Sequence, residues 1–399
     1  MVALTSLRWW ASVDVAMDSI DPTPLSFTAT RFRFGEGIVD ELPVVLDQFT
    51  ISSPLVVTDA GIREAGLLDR VIAETDAEHI YESTTEPTTD DFDDLPTENV
   101  DSVVAIGGGS VLDTAKVIAL LLAHGGHPGE YIGSGKIPGE ISPLVAIPTT
   151  SGTGSEVSQT AVVTHEGVKR GISDERLRPM LALVDPELTY DLPQSVTARS
   201  GFDALMHSLE GLTARDYRWV EDRPITYQGA NPISRSLARR ALGLVYGSLE
   251  RAVFDGDDHG ARRGMSLGSC LAAVAHSNSG LGAIHALASA VGGITGRPHG
   301  ECLAASVEPA LEYNLPIRRD AYAELADEFG VGDTAEAFIA EITRVRDDIG
   351  LPPSFSELGL DQSDADRIVE ATLVQERRLK TNPRVVSEDI ETVVSAHLE

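Results

Sequence analysis

Four residues in the second half of this chain could hold a metal ion. Asp203 and His207 stand four apart in GFDALMHSLE. On a helix that spacing sets both on one face, within reach of a single ion; a surface Asp–His contact is the plain alternative. His285 sits among small apolar residues in SGLGAIHALASAVGG, where an imidazole is either a ligand or a core histidine bonded to a carbonyl. His299 lies in RPHGE, a tight loop in which a solvated turn histidine reads the same way. Three imidazoles and one carboxylate suit a divalent first-row ion and leave room for a substrate oxygen. Spacing alone does not bring the four together.

A second chemistry lies nearer the N-terminus. Gly107-Gly108-Gly109-Ser110 follows an apolar run and precedes the helix-compatible VLDTAKVIALLLA (111–123). Glycines let the backbone turn sharply and approach a ligand, and a helix start presents free N–H groups and a positive dipole end. The pattern predicts a pyrophosphate cradle at Gly108, Gly109 and Ser110, a flexible loop being the alternative. A polar loop, PTTSGTGSE (148–156), brings Thr149, Thr150 and Thr153 to the end of the next apolar run, where parallel sheets bind ligands; a Ser/Thr-rich turn would look similar. Neither loop is a GxGxxG fingerprint or a P-loop. Asp59 ends SPLVVTD. A carboxylate there can bind ribose hydroxyls and repel a 2′-phosphate, favouring NAD over NADP; a turn aspartate before Gly61 is the alternative.

These residues need a scaffold. The runs at 53–59, 101–110, 142–150 and 181–185 are short, apolar and rich in β-branched residues, with helical stretches between them. That alternation predicts a parallel sheet covered on both faces. From about Thr197 the pattern is helical. The expected architecture is an N-terminal extension (1–29), an α/β dinucleotide-binding domain (30–194) and an all-α metal- and substrate-binding domain (195–399). A chain of 399 residues with 42% hydrophobic content suits two such domains. The acidic stretch 82–99 reads as a solvated connection.

Composition narrows the setting. The formal charge is −31, from 31 basic and 62 acidic residues, and lysine occurs only at 116, 136, 169 and 380. Such an excess repels itself at low salt; adaptation to molar salt and an acidic docking surface are the two readings. Nucleic acid and anionic membranes are disfavoured as partners. Two cysteines, Cys270 and Cys302, make no disulfide framework and point to a cytoplasmic setting. No apolar run reaches a membrane span, and the N-terminal segment, with Asp14 inside its apolar patch, is a poor signal peptide.

In order along the chain, GGGSVLDTAK, PTTSGTGSE, VDPEL (184–188), GFDALMHSLE, the His285 segment and PHGE (298–301) resemble the motifs of iron-containing (group III) alcohol dehydrogenases. The likeness covers about residues 30–399. It implies metal ligation by Asp203, His207, His285 and His299. It also implies cofactor contacts by Asp59, Gly108, Gly109, Ser110, Asp113, Thr149, Thr150, Thr153 and Lys169. The implied ion is Fe²⁺, with Zn²⁺ or Mn²⁺ as alternatives; the implied nucleotide is NAD, with NADP as the alternative. The active site would lie in a cleft between the domains, in a homo-oligomer.

EPT (86–88), RPITYQGANPIS (223–234) and ATLVQERRLKTNPR (371–384) resemble the hydroxyacid–oxoacid transhydrogenase branch more closely. That branch implies oxidation of 4-hydroxybutyrate while 2-oxoglutarate is reduced. A small alcohol or aldehyde remains the other substrate class, and a non-catalytic binding protein the remote one. Many alcohol-oxidising members carry a histidine four residues beyond the one matching His285, where this chain has Ser289. The proton path then falls to Ser289, to cofactor hydroxyls or water, or to His276, unless His276 is a packed helix histidine. A carboxylate substrate also needs an anchor, because burying that charge unpaired is costly. Arg223, Arg377, Arg378 and Lys380 are the candidates, with ordinary surface pairing as the alternative.

Overall fold

The computed structural model describes residues 21–398 apart from 76, 85, 97 and 222–225. The first twenty residues and Arg223 therefore lie outside the described residues. The first half forms a six-stranded, wholly parallel sheet in the order β1-β9-β6-β4-β2-β3. Its strands are β1 (Phe32–Phe34), β2 (Pro54–Thr58), β3 (His79–Glu82), β4 (Ser102–Gly107), β6 (Leu144–Pro148) and β9 (Leu181–Val184); between β4 and β9 the chain also makes β5 (Gly133–Ser134), β7 (Thr160–His165) and β8 (Val168–Ser173). Helices α1 (Leu42–Gln48), α2 (Ala60–Glu64), α3 (Leu67–Ile72), α4 (Gly109–His124) and α5 (Pro128–Tyr131) connect them. The central strands β2, β4 and β6 are buried at every residue. One face packs Leu55, Val57, Val103 and Ala105 against α4; the other packs Val56, Val104, Ile106 and Val145 against α1 and α3. Two apolar faces make each central strand a continuous hydrophobic run, which is what the sequence shows.

Two sheet strands escape that pattern. β1 is only three residues long, and β3 alternates half-buried and exposed positions at the opposite edge. Edge strands bury one face or less, so they lack the continuous apolar run. The β7–β8 hairpin, antiparallel and extended by β5, also differs from the expected strand–helix alternation. It braces the polar loop after β6 through a buried network. Lys116 on α4 donates to Ser155 Oγ at 2.7 Å, Ser158 Oγ at 3.0 Å and the Thr160 carbonyl at 2.8 Å. Burial depresses the Lys116 ammonium to about 8, against the pull of Asp113 3.8 Å away.

After Val184 the described residues form helices and no strand. These are α6 (Gln194–Thr213), α7 (Pro232–Phe254), α8 (His259–Ser279), α9 (Ala283–Thr295), α10 (His299–Phe329), α11 (Ala335–Asp348), α12 (Ala365–Leu373), α13 (Glu376–Leu379) and α14 (Glu391–Ala396). They share one core that runs from Phe202 and Leu205 on α6 through Leu287 on α9 to Phe338 and Ile368. None of the described helices is long and apolar enough to cross a membrane. The sheet meets the helices along an apolar seam: Val157, Ala182 and Val184 against Cys270, Ala273 and Val274 of α8. At that seam Gly154 holds φ +63°, and a Cβ there would lie 2.0 Å from the Cβ of Ala273. A side chain at 154 would push the polar loop off α8.

Candidate active site

The metal candidates come from three helices. α6 carries Asp203 and His207 on one face, α9 carries His285 in its first turn, and α10 begins at His299. Ligand atoms of Asp203, His207 and His285 all lie within 4.8 Å of one another, the one such group among the described residues. His285 Nε2 is 3.3 Å from Asp203 Oδ1, and His207 Nδ1 is 3.5 Å from the same oxygen. His299 stands just outside this group, its Nε2 4.0 Å from Asp203 Oδ1 and its ring 5.7 Å from that of His285. It is also the open side: its side chain is 42% exposed, whereas Asp203, His207 and His285 are buried.

Glu210, one turn beyond His207, orients the site and was not singled out in the sequence. It accepts from His285 Nδ1 at 2.6 Å with one oxygen and from the Ile284 amide at 2.8 Å with the other. The first bond leaves Nε2 of His285 toward Asp203; the second caps α9. A readable signal existed, since Asp203, His207 and Glu210 follow i, i+4, i+7 spacing on one helical face. Such carboxylate–histidine pairs fix the ring and raise its basicity. Electrostatics agree. Burial alone would raise the Asp203 carboxyl, but the imidazoles of His207, His285 and His299 outweigh it and hold the group well below the ordinary range. Burial lowers His207 to about 4. His285 moves up, because Glu210 and Asp203 overcome its burial. One ionised carboxylate among buried imidazoles fits a divalent first-row ion.

The nucleotide candidates gather at the carboxyl ends of β2, β4 and β6. Gly108 is the N-cap of α4, and Gly109 and Ser110 open its first turn. A Cβ on Gly109 would meet the Thr153 side chain at 2.6 Å, so glycine is what lets the two polar loops touch. The Thr149 amide donates to the Gly107 carbonyl at 3.0 Å, while its hydroxyl is buried without a partner among the described residues. β2 and β4 are neighbours whose chains continue in opposite directions across the sheet, which makes the crevice between them the expected ligand position. Asp59 stands at its edge and caps α2, accepting from the Ile62 amide at 2.9 Å. Lys169 lies on the β8 hairpin strand and pairs with Glu86 at 2.7 Å. Asp113 spends both oxygens inside the protein, on Ser155 Oγ and the Val162 amide, so it braces the loops from beneath.

The proton-path candidates separate. Ser289 lies one turn beyond His285, and its Oγ accepts from Arg378 Nη1 at 2.7 Å. His276 on α8 stacks on His207 with ring centroids 4.3 Å apart. It is buried, and neither ring nitrogen has a hydrogen-bond partner among the described residues. Of the cationic candidates, Arg378 reaches Ser289, one turn from His285, Arg377 lies over the Tyr227 ring at 4.7 Å, and Lys380 lines a separate groove with Arg215 and Glu221.

Residues 29–186 match the iron-containing alcohol dehydrogenase family, and residues 197–398 match the C-terminal part of the same family. The chain belongs to the iron-containing alcohol dehydrogenases. It is accordingly a metal-dependent oxidoreductase that uses a nicotinamide cofactor. It is 32% identical to the NAD-dependent methanol dehydrogenase of Bacillus methanolicus, over 90% of this chain and 96% of that one. It is 33% identical to the 4-hydroxybutyrate dehydrogenase of Cupriavidus necator, over 90% and 95%. A solved 1,3-propanediol oxidoreductase superposes with a TM-score of 0.86 at 29% identity, covering 94% of this chain and all of that one. An alcohol and a hydroxy acid dehydrogenase are thus similar to this chain at nearly the same identity.

Glu210→Gln keeps the shape but removes the charge behind His285. It should weaken metal affinity by about 10- to 100-fold without unfolding the protein, as read by chelator competition and elemental analysis. Unchanged affinity would mean that Glu210 only caps α9.

Proposed function

We propose that this enzyme moves hydride between NAD and a hydroxy acid or oxoacid, with the substrate carboxylate held by Arg378. Asp203, His207, His285 and His299 would hold Fe²⁺, which supplies Lewis-acid polarisation of the substrate oxygen when bound. The observation that carries the reading is Arg378 itself. It is half-buried, its Nη1 bonds Ser289 one turn from His285, and its Nε has no partner among the described residues. Where an alcohol-oxidising relative would place a relay histidine, this chain holds a guanidinium through a serine. The guanidinium fork matches a carboxylate bidentately. Ser289 Oγ already accepts from a cation, which opposes its taking up a substrate proton. His276 retains a free donor and a free acceptor nitrogen.

The C-terminal segment explains how Arg378 is positioned. Thr381 and Asn382 are fully buried; Thr381 donates to the Leu281 carbonyl at 2.7 Å, and Asn382 accepts from the Ala283 amide at 2.9 Å. The turn carrying Arg378 is therefore tied to the start of the helix carrying His285.

Arg378→Gln should raise KM for 4-hydroxybutyrate by about 10- to 100-fold, the worth of a charge-assisted hydrogen bond, while moving KM for butanol far less. Equal effects on both, or turnover of butanol with no hydroxy acid oxidised, would support a simple alcohol dehydrogenase. Reduction of 2-oxoglutarate by 4-hydroxybutyrate without added NAD would specify the transhydrogenase form.

Asp59 supports the choice of NAD. Asp59→Gly should raise activity with NADP relative to NAD by removing the charge opposite a 2′-phosphate. Glycine is itself a tolerated N-cap, so α2 loses only a few tenths of a kcal/mol. A wild type that already prefers NADP, with no shift in the variant, would remove Asp59 from this role.

We further read the protein as a cytoplasmic homo-oligomer adapted to high salt. The −31 charge and the two buried, free thiols support that setting. The melting temperature should rise steeply between about 0.1 M and a few molar KCl, as the Debye length falls from about 10 Å to below 3 Å. A flat profile would contradict it.

A further inference from the structure

Residues 21–30 make neither strand nor helix, yet they are fastened along their length. The Arg31 carbonyl accepts from the Ala182 amide at 2.9 Å, where the chain joins the edge of the sheet. Ahead of that point the segment lies against the helical half. Thr30 is buried and donates its hydroxyl to the Val157 carbonyl at 3.0 Å, one residue beyond the polar loop that follows β6. Phe27 packs on the seam where Val157, Ala182 and Val184 meet α8. The Asn278 side chain, at the end of α8, holds the backbone of Thr28 from both sides. Its Oδ1 accepts from the Thr28 amide at 2.9 Å, and its Nδ2 donates to the Thr28 carbonyl at 2.9 Å. Ser26 donates to Gln228 Oε1 at 2.6 Å, and Asp21 pairs with Arg218 at 3.1 Å.

A segment without an element of its own is costly to order, so these bonds must hold it in place. They also do what the apolar seam cannot. Apolar burial resists separation of two surfaces, but it has no direction and resists sliding poorly. Hydrogen bonds are directional and fix register. Asn278 Nδ2 donates in addition to the Val274 carbonyl one turn back, at 2.8 Å, which locks its side chain toward Thr28. Asn278 follows His276 by two residues, a turn of about 200° on a helix. The last turn of α8 therefore presents Asn278 to the segment and His276 to His207, the two rings 4.3 Å apart. One short stretch of chain is thus bonded through Thr30 beside the polar loop, and through Thr28 to the helical turn that backs His207.

We infer that residues 21–30 form a strap, anchored by Asn278, that sets the register between the sheet half and the helical half, and that Asn278 and Thr30 are positioning residues for hydride transfer. Both act through other groups, Asn278 through α8 and Thr30 through Val157. The nucleotide candidates lie in one half and the metal candidates in the other, so a slackened strap alters their relative placement and leaves each binding site whole. The inference holds for an alcohol or a hydroxy acid substrate alike.

Asn278→Ala and Thr30→Val test this in the full-length holoenzyme. Both should speed amide hydrogen exchange in residues 26–31. Both should lower kcat by about 10- to 100-fold, as a misplacement of about 1 Å does, with bound metal and NAD affinity unchanged. The primary isotope effect on kcat, with butanol or 4-hydroxybutyrate deuterated at the carbinol carbon, should rise as hydride transfer becomes rate-limiting. Thr30→Ser keeps the hydroxyl and should recover most of kcat. Unchanged kcat and isotope effect in both variants would overturn the inference, since the segment would then only cover the seam. Loss of metal or of NAD affinity in step with kcat would assign these residues to the integrity of a single site and overturn it as well.

Discussion

The Asp203 carboxylate, buried among three imidazoles, is the constraint on which the rest of the molecule turns. A charge in that position is tolerable only with compensating positive charge close by. The histidines provide part of it when protonated, and a divalent ion provides it outright. The surroundings are arranged to keep that need alive. Burial opposes protonation of His207, while Glu210 fixes His285 through Nδ1 and leaves Nε2 toward Asp203. The helical core holds α6, α9 and α10 together, with Phe202, Tyr313 and Tyr322 among its fully buried side chains.

The sheet domain is joined to this centre through backbone. His207 Nδ1 lies 3.3 Å from the Gly152 carbonyl, in the same loop whose threonines face the glycine turn of α4. The loop after β6 thus touches the glycine turn of α4 on one side and His207 on the other. Small residues make this contact close enough: a Cβ on Gly152 would lie 2.7 Å from Ser200 on α6. The buried Lys116 network beneath the loop then fixes its height above the sheet. Hydride transfer needs donor and acceptor carbons held in register, and positioning of that kind is the protein's main contribution to cofactor chemistry.

Much of this was legible in the sequence because it depends on local patterns. Central parallel strands show as continuous apolar runs, and the Asp203–His207 pair shows as helical spacing. The glycine turn shows as a strand end meeting a helix start. What stayed hidden depends on tertiary geometry. β1 and β3 lie at the sheet edges and carry no two-sided apolar signal. Arg378 was one of several cations that composition could not rank, and only the packing of Thr381 and Asn382 against the start of α9 singles it out. Glu210 could have been read from its spacing, but a carboxylate behind a histidine on another helix has no linear signature. The two bonds that Asp113 makes within the protein have no linear signature either.

The claim that Asp203, His207, His285 and His299 form one ion site is tested most directly by anaerobic titration of metal-free protein with Fe²⁺, with bound metal and melting temperature read together. One equivalent per chain should bind and raise the melting temperature, as any ligand specific for the folded state does. His207→Ala and His285→Ala should lose both effects. Normal metal content and an undiminished thermal shift in both variants would contradict the account.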